Sequence, residues 1–380
     1  MITRAEIVVD LAAIRRNVRI LRETTGVPLM VVVKADGYGH GLLPVARAAR
    51  AAGAEWLGVA TVEEALALRT GGDDGRVLCW LTVPGEPYAD AVRQGIDVTA
   101  YSLEELDEVA LAAREAGTPA RVQLKVDTGL SRGGAPRSHW TELFERAATG
   151  ERDASWTVTG IWSHFACADE PDHPANDVQE LAFHEALAAA TEAGLRPEIR
   201  HLANSAAALL RPGSRLDAVR CGIAAYGLDP APGHTPDLGL VPAMTVRAGL
   251  AMVKAVAAGD STSYGHTWTA DHPTTVGLVP IGYADGVPRQ AGNAAEVAVG
   301  GKRRPVRGRV CMDQFLVDLA GDEAAAGDEV VLFGDGADGA PTAQDWAEAC
   351  GTISYEIVTR IGGRMARRYV DSAATPEHPR

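Results

Sequence analysis

The sequence predicts an α/β chain of two units: an N-terminal (β/α)8 TIM barrel over residues 1–234 and a C-terminal mainly-β domain over residues 235–380. Three observations predict it. Short apolar runs alternate with Ala/Leu/Glu-rich helical stretches between Leu29 and Gly227, the pattern of a parallel sheet closed by crossover helices. A Pro/Gly-rich stretch, Leu228–Gly239, then breaks the alternation and reads as a linker. Beyond it, short strands separated by glycine turns dominate.

The expected barrel strands are Leu29–Lys34, Glu55–Ala60, Arg76–Leu81, Asp97–Tyr101, Arg121–Asp127, Thr159–Phe165, Glu198–Asn204 and Ala218–Gly227. Each is short and carries an apolar run, as a strand with buried faces must. Between them, stretches such as "LLPVARAARAAGA", "VEEALALRTGG", "SLEELDEVALAAREAG" and "DVQELAFHEALAAATEAG" read as helices, several closed by a glycine C-cap. In the second unit "AMTVRAGLAMVKAVAAG", "TTVGLVPIGYADG", "EVAVGGKRRPVRGRVCMDQFLVDL" and "DEVVLFG" read as strands and turns, while "TAQDWAEACG" and "SYEIVTRIG" read as helices. The tail "DSAATPEHPR" reads as frayed.

Composition excludes several classes of function. With 46% hydrophobic and 23% charged residues the chain is an ordinary globular one, and no apolar run approaches the roughly 20 residues of a membrane span. The charged N-terminal "MITRAEIVVDL" is no secretory leader, so a cytoplasmic location is expected. Five widely spaced cysteines without a C-x-x-C pair predict reduced thiols and no metal site. A net charge of −14 argues against nucleic acid as a partner. Any anionic ligand must be held by a local group of cations and amides.

The polar residues gather where a barrel builds its active site, at the C-terminal ends of the strands. Lys34 and Tyr38 follow the first strand, Lys125, Asp127 and Arg132 the fifth, His164 the sixth, and His201, Asn204 and Ser205 the seventh, while Arg220 lies on the eighth. Taken singly, each is what any strand needs on reaching water. Lys34, at the end of a buried apolar run, either escapes to solvent or is used as an amine of lowered pKa, the form that condenses with an aldehyde. Ser205 in a first helical turn and the unobstructed amides of Gly222 and Ile223 either cap and pack or cradle a phosphate. A lysine for an aldehyde and a cradle for a phosphate on one rim suggest pyridoxal 5′-phosphate.

At this point the residues resemble a known family. "VVVKADGYGHG", "KVDTGLSRGG", "IWSHFACAD", "RHLANSAA", "VRCGIAAYGL", "SYGHTW", "PIGYADG", "VCMDQFLVDL" and "ISYEIVTRIGGR", in that order, make the chain similar to the alanine racemases over nearly its whole length. The resemblance implies an enzyme that interconverts L- and D-alanine by two-base proton transfer at Cα and supplies D-alanine for peptidoglycan. It makes Lys34 the Schiff-base lysine and one base. Tyr264, in "SYGHTW", becomes the second, reaching the cofactor from the partner subunit of a homodimer with composite sites. It also implies that Tyr38, Ser205, Gly222, Ile223 and Tyr355 hold the cofactor's phosphate, that Asn204 is a further cofactor-binding residue, and that His164 lies beside the cofactor. Arg220 faces the pyridine nitrogen and is oriented by His201. An arginine there only donates, so the nitrogen stays unprotonated and quick reprotonation is favoured over transamination or elimination. Arg132, with Met312 and Asp313 from the partner subunit, is implied for the substrate carboxylate, and Lys125 for a carbamylated lysine that fixes Arg132.

One departure is local: "SRGGA" places Gly133 and Gly134 where a bulkier aliphatic is common, so a looser loop around Arg132 is expected. A pocket closed by Tyr264, Tyr355 and Met312 suits a methyl side chain and disfavours larger ones by about 1–3 kcal/mol per methylene. Three alternatives remain at this point: a racemase that also takes serine, a barrel-fold decarboxylase using the same cofactor, and a non-catalytic carrier of it.

Overall fold

The computed structural model of the chain describes residues 4–372, so all but the start of the "DSAATPEHPR" tail lies outside the described residues. Eight parallel strands form the barrel, in the order Ile199–His201, Trp156–Trp162, Ala120–Lys125, Asp97–Ala100, Arg76–Cys79, Trp56–Val59, Leu29–Val32 and Val219–Cys221. All eight expected strands are present, seven of them at shorter lengths and the sixth, Trp156–Trp162, at the expected length but three residues earlier. The first and last named are joined only by isolated bonds, Arg220 N–H to Ala203 O at 2.9 Å and Asp217 N–H to Arg200 O at 3.1 Å, so the barrel is nearly closed. Burial on both faces explains the unbroken apolar runs: every residue of Leu29–Val32 and Trp56–Val59 is buried, and Asp97–Ala100 is buried throughout as well, including Asp97 and Thr99.

Helices cover the outside, and their caps follow the sequence closely. Thr61 and Glu64 form a reciprocal capping box at the start of Val62–Thr70, and Gly117, at φ 72°, ends Leu103–Ala116 in the left-handed cap that glycine adopts without strain. Leu11–Thr25 is capped by Asp10, which accepts from the Ala12 and Ala13 amides, and buries Ile14, Val18 and Leu21 on one face.

The second unit is a nine-stranded mixed sheet backed by Ala343–Cys350 and Ser354–Arg360, the two helices expected there. Its membership was not expected in full. Residues 1–234 were assigned to the barrel, yet Ala5–Asp10 pairs antiparallel with Met244–Gly249 and parallel with Ala366–Val370, within the second sheet. Alternate burial of Ala5, Ile7 and Val9 suits a sheet with one wet face, unlike the continuous burial of the barrel strands. Glu6 on that wet face pairs with Arg247 at 2.6 Å and Arg368 at 3.2 Å, one on each neighbouring strand. The two ends of the described chain thus meet in one sheet, and that sheet lies against the barrel mouth.

Candidate active site

The first barrel strand stops at Val32, not at Lys34 as the apolar run implies. Lys34 opens a turn in which Ala35, Asp36, Gly37 and Tyr38 all have φ between 52° and 62°. Left-handed backbone costs roughly 1–2 kcal/mol for each residue with a Cβ, so three of these four must be held in place. They are. The Ala35 amide donates to Glu64 Oε1 at 2.6 Å, the Leu42 amide to Asp36 Oδ1 at 2.8 Å, and Gly37 N–H to Val33 O at 2.8 Å. His40, whose pKa burial pushes down to about 4, is neutral, and its Nδ1–H serves both Tyr38 O at 2.9 Å and Gly37 O at 3.1 Å. From the last strand of the second sheet, Arg367 donates to Gly39 O at 2.8 Å and pairs with Asp36 at 2.9 Å.

Around Lys34 the barrel mouth collects cations in a chain that is acidic overall. Burial, then the positive charge of Arg132, pushes the Lys34 pKa down, with Glu64 opposing and Arg220 reinforcing the shift. Lys125 is pushed down to about 8 by burial, then by Arg220 and Arg132. The Trp162 indole receives two of these cations on its ring, Lys125 Nζ at 4.6 Å and Arg220 Cζ at 4.8 Å from the centroid. Arg220 is only 4% exposed, yet even with burial lowering its pKa to about 9 it stays charged at neutral pH. Its Nη1 donates to His201 Nδ1 at 3.1 Å and His201 O at 3.2 Å. Its Nη2 donates to Ser163 O at 2.8 Å, His164 Nδ1 at 2.9 Å and Leu202 O at 3.1 Å. Both histidines are kept neutral, by burial first and by Arg220 second. None of the guanidinium's hydrogen bonds uses Nε.

Beside this cluster lies a small polar niche. Asn204 caps Ser205–Leu210 by accepting from the Ala207 amide at 3.0 Å, and Ser205 Oγ accepts from Gly222 N–H at 2.9 Å. Ile223 is buried at the next position. A Cβ on Gly222 would lie 2.3 Å from Tyr38 Oη, so glycine is required for the approach. The Tyr38 ring stacks on Tyr226 at 4.9 Å and leans on Tyr355, from the second unit, at 6.3 Å. Burial pushes the phenols of Tyr38 and Tyr355 up, so both are neutral O–H donors at neutral pH.

The donor set fits pyridoxal phosphate. Tyr38, Ser205 and Gly222 gather hydroxyl and amide groups at the niche, Lys34 offers an amine whose pKa burial and Arg132 push down, and Arg220 retains an unengaged N–H.

Comparison with known proteins places the chain. The alanine racemase N-terminal domain matches residues 9–230 and the alanine racemase C-terminal domain residues 243–369. The chain belongs to the alanine racemase family. It is 55% identical to the alanine racemase of Streptomyces coelicolor, over 97% of each chain, and 53% identical to that of Salinispora tropica, over 97% of this chain and 98% of that one. Among solved structures it matches alanine racemase from D-cycloserine-producing Streptomyces lavendulae with a TM-score of 0.96, 52% identity and full coverage of both chains. It also matches alanine racemase from Bacillus anthracis with bound L-Ala-P, with a TM-score of 0.87 and 35% identity, over 97% of this chain and 96% of that one.

Not every candidate residue of this family member joins the Lys34 cluster. Tyr264 is 72% and Met312 53% exposed, and Asp313 pairs with Arg364 of the second unit rather than with a residue of the Lys34 cluster. Met312 and Asp313 are held in place: Ala284 N–H donates to Met312 O at 3.0 Å, and Arg364 joins Asp313 at 2.7 Å to the buried Asp285 at 2.9 Å. The loop carrying Arg132 is tied down, contrary to the looser loop expected. Asp127 Oδ1 accepts from Gly129 and Ser131, and Ala135 exchanges backbone bonds with Lys125 and Asp127. A Cβ on Gly134 would lie 2.7 Å from Asp127 N, so this glycine fastens the loop to the strand end.

Sequence reasoning missed Glu64, Trp162, Tyr226, Gln123 and Arg367. Glu64 carried a usable signal, since T-V-E-E reads as a capping box. The others carried none, because their parts depend on contacts between residues far apart in the chain.

Proposed function

We propose that the chain is an alanine racemase that holds pyridoxal phosphate at the barrel mouth and works as a homodimer in the cytoplasm, supplying D-alanine for cell-wall peptidoglycan. The observation that carries this reading is a pair at the barrel mouth: Lys34, whose pKa is pushed down by burial and then by Arg132, and an arginine, Arg220, whose Nη groups are all engaged while Nε–H is not. Among the described residues no helix is long and apolar enough to cross a membrane.

When bound, pyridoxal phosphate acidifies the Cα–H of an amino acid attached to it. The protein's part is to hold the pieces and move the proton. Tyr38, Ser205, Gly222, Ile223 and Tyr355 would hold the phosphate, with Asn204 and His164 as further cofactor-binding residues. Arg220, oriented by His201, offers Nε–H to the pyridine nitrogen and cannot protonate it. Arg132 takes the substrate carboxylate, with Met312 and Asp313 of the partner subunit, and a carbamate on Lys125 steadies Arg132. Lys34 Nζ exchanges the proton on one face of Cα. Tyr264 of the partner subunit exchanges it on the other, since a single base would mostly return the proton to the face it left. Exposure of Tyr264 and Met312 in the single chain supports a site completed by a second copy.

The test is formation of D-alanine from L-alanine, over a panel that includes L-serine, with Lys34→Ala and Tyr264→Phe beside the parent. Loss of racemisation in both variants, with a dimer by sedimentation, is expected. Undiminished alanine racemisation in either variant overturns the corresponding base.

A further inference from the structure

The bonds around Arg220 continue past His201 to the opposite end of the barrel. His201 Nε2 lies 2.7 Å from Gln123 Oε1, and Gln123 Nε2 lies 3.2 Å from Asp97 Oδ2. Asp97 is fully buried and also holds Arg121 Nε at 2.7 Å and the Thr159 hydroxyl. Gln123, His201 and Thr159 are likewise 0% exposed, so no solvent competes along this line.

Both ends of the line fix its polarity. A guanidinium only donates, so His201 Nδ1 must present a lone pair to Arg220, and the imidazole proton must sit on Nε2. A carboxylate only accepts, so Gln123 must turn its NH2 toward Asp97, which leaves Oε1 to accept from His201 Nε2–H. Either flip would set like against like in a buried site. The backbone makes room for this arrangement: the pairing of the two strands shifts register at Gln123, and a Cβ on its partner, Gly160, would lie 2.7 Å from the Gln123 amide.

We propose that Gln123 is a positioning residue for racemisation. By holding His201 in its Nε2–H tautomer, it keeps Arg220 in the one orientation that leaves Nε–H for a bound acceptor. The inference rests on the preceding reading that Arg220 faces the cofactor's ring nitrogen. Without Gln123 the Nε2–H loses its acceptor, and the alternative tautomer turns an N–H toward the guanidinium and displaces it.

The test compares three holoenzymes: the parent, Gln123→Met, and Gln123→Glu combined with Asp97→Asn. Methionine fills the same space without hydrogen bonds. The double variant restores the line in the same sense, the new amide donating to the new carboxylate, which accepts from His201. Measured are the side-chain 15N signals of His201, kcat and KM. In Gln123→Met the 15N signals are expected to leave the pure Nε2–H position, and kcat to fall about tenfold, or about 1.4 kcal/mol of barrier, with KM changing less than about twofold. The double variant should regain the parent tautomer and most of kcat. A Gln123→Met enzyme with parent kcat and an unshifted His201 overturns the proposal. If Gln123→Met does not fold, the double variant decides: parent tautomer and kcat support the proposal, and loss of either overturns it. A parent protein that does not racemise alanine overturns the preceding reading instead.

Discussion

Gly222→Ala is the sharpest probe of the phosphate niche. The new Cβ would stand 2.3 Å from Tyr38 Oη and 2.8 Å from Cζ, so about 1 Å of separation must be found. Tyr38 has no room to retreat. Its ring is stacked on Tyr226, which is itself anchored by an O–H to Val32 O bond of 2.9 Å, and Tyr355 stands on another side. Overpacking of this kind costs about 1–3 kcal/mol. If the displaced groups, Tyr38 Oη and the Gly222 amide, are those that hold the phosphate, the same energy appears in cofactor affinity, a factor of roughly 5–150 in Kd. The assay is a titration of the cofactor-free protein with pyridoxal phosphate, followed by absorbance, alongside thermal melting. A second variant, Gly222→Ala with Tyr38→Phe, separates the two effects. Removing Oη relaxes the nearest contact only from 2.3 to 2.8 Å, so melting temperature should recover in part while affinity stays low. A folded Gly222→Ala protein with parent affinity would refute the assignment of this niche to the phosphate.

Three further outcomes follow from the same contacts. Lys125 has a folded pKa near 8 against an unfolded value near 10.4, so the unfolded chain binds more protons between those limits and stability should rise with pH across that window, by at most ~3 kcal/mol. Lys125→Met should abolish that rise in denaturant titrations; bicarbonate should raise the melting point of the parent alone, and a high-resolution map in bicarbonate buffer with an unmodified Lys125 amine would sink carbamylation. Arg367→Ala frees Gly39 O and Asp36 of the Lys34 turn, so cofactor Kd should rise with a stability loss of about 1 kcal/mol or more, read by titration and denaturation. Tyr226→Phe removes the bond to Val32 O and should cost about 1–3 kcal/mol of stability with kcat nearly unchanged, whereas an equal fall in kcat would place Tyr226 in the chemistry.

The fold was legible to the extent that burial writes itself into composition. Barrel strands buried on both faces carry short apolar runs, and all eight show such a run, although several also bury a polar residue such as Gln123 or His201. Ala5–Asp10 escaped because pairing between the chain's two ends leaves no local mark, although its alternation distinguishes it from a barrel strand. Lys34 was found as the residue after an apolar run, but the left-handed turn it opens was not. Ala35 and Tyr38 have no intrinsic preference for that backbone and Asp36 only a weak tolerance of it, and the bonds that impose it come from Glu64, His40 and Arg367, the last from the far end of the chain. Gln123 is the extreme case: one polar residue in a strand, explicable only once Asp97 and His201 are seen on either side of it.

These dependencies converge on how an acidic protein keeps four cations together. Lys34, Lys125, Arg132 and Arg220 repel one another, and after burial this repulsion contributes to the lowered pKa values of both lysines. Trp162 accepts two of them on its ring, and backbone carbonyls at Ser163, His201 and Leu202 take Arg220. Neutral groups thus hold the cations in place without cancelling their charge, and only Glu64 and Asp127 oppose the shifts of the two lysines. A carboxylate paired with Arg220 would occupy its donors and satisfy it within the chain. The carboxylate on this line, Asp97, lies at the other end of the barrel behind His201 and Gln123 and is paired there with Arg121, which leaves the charge at the mouth for an anionic cofactor and an amino acid carboxylate.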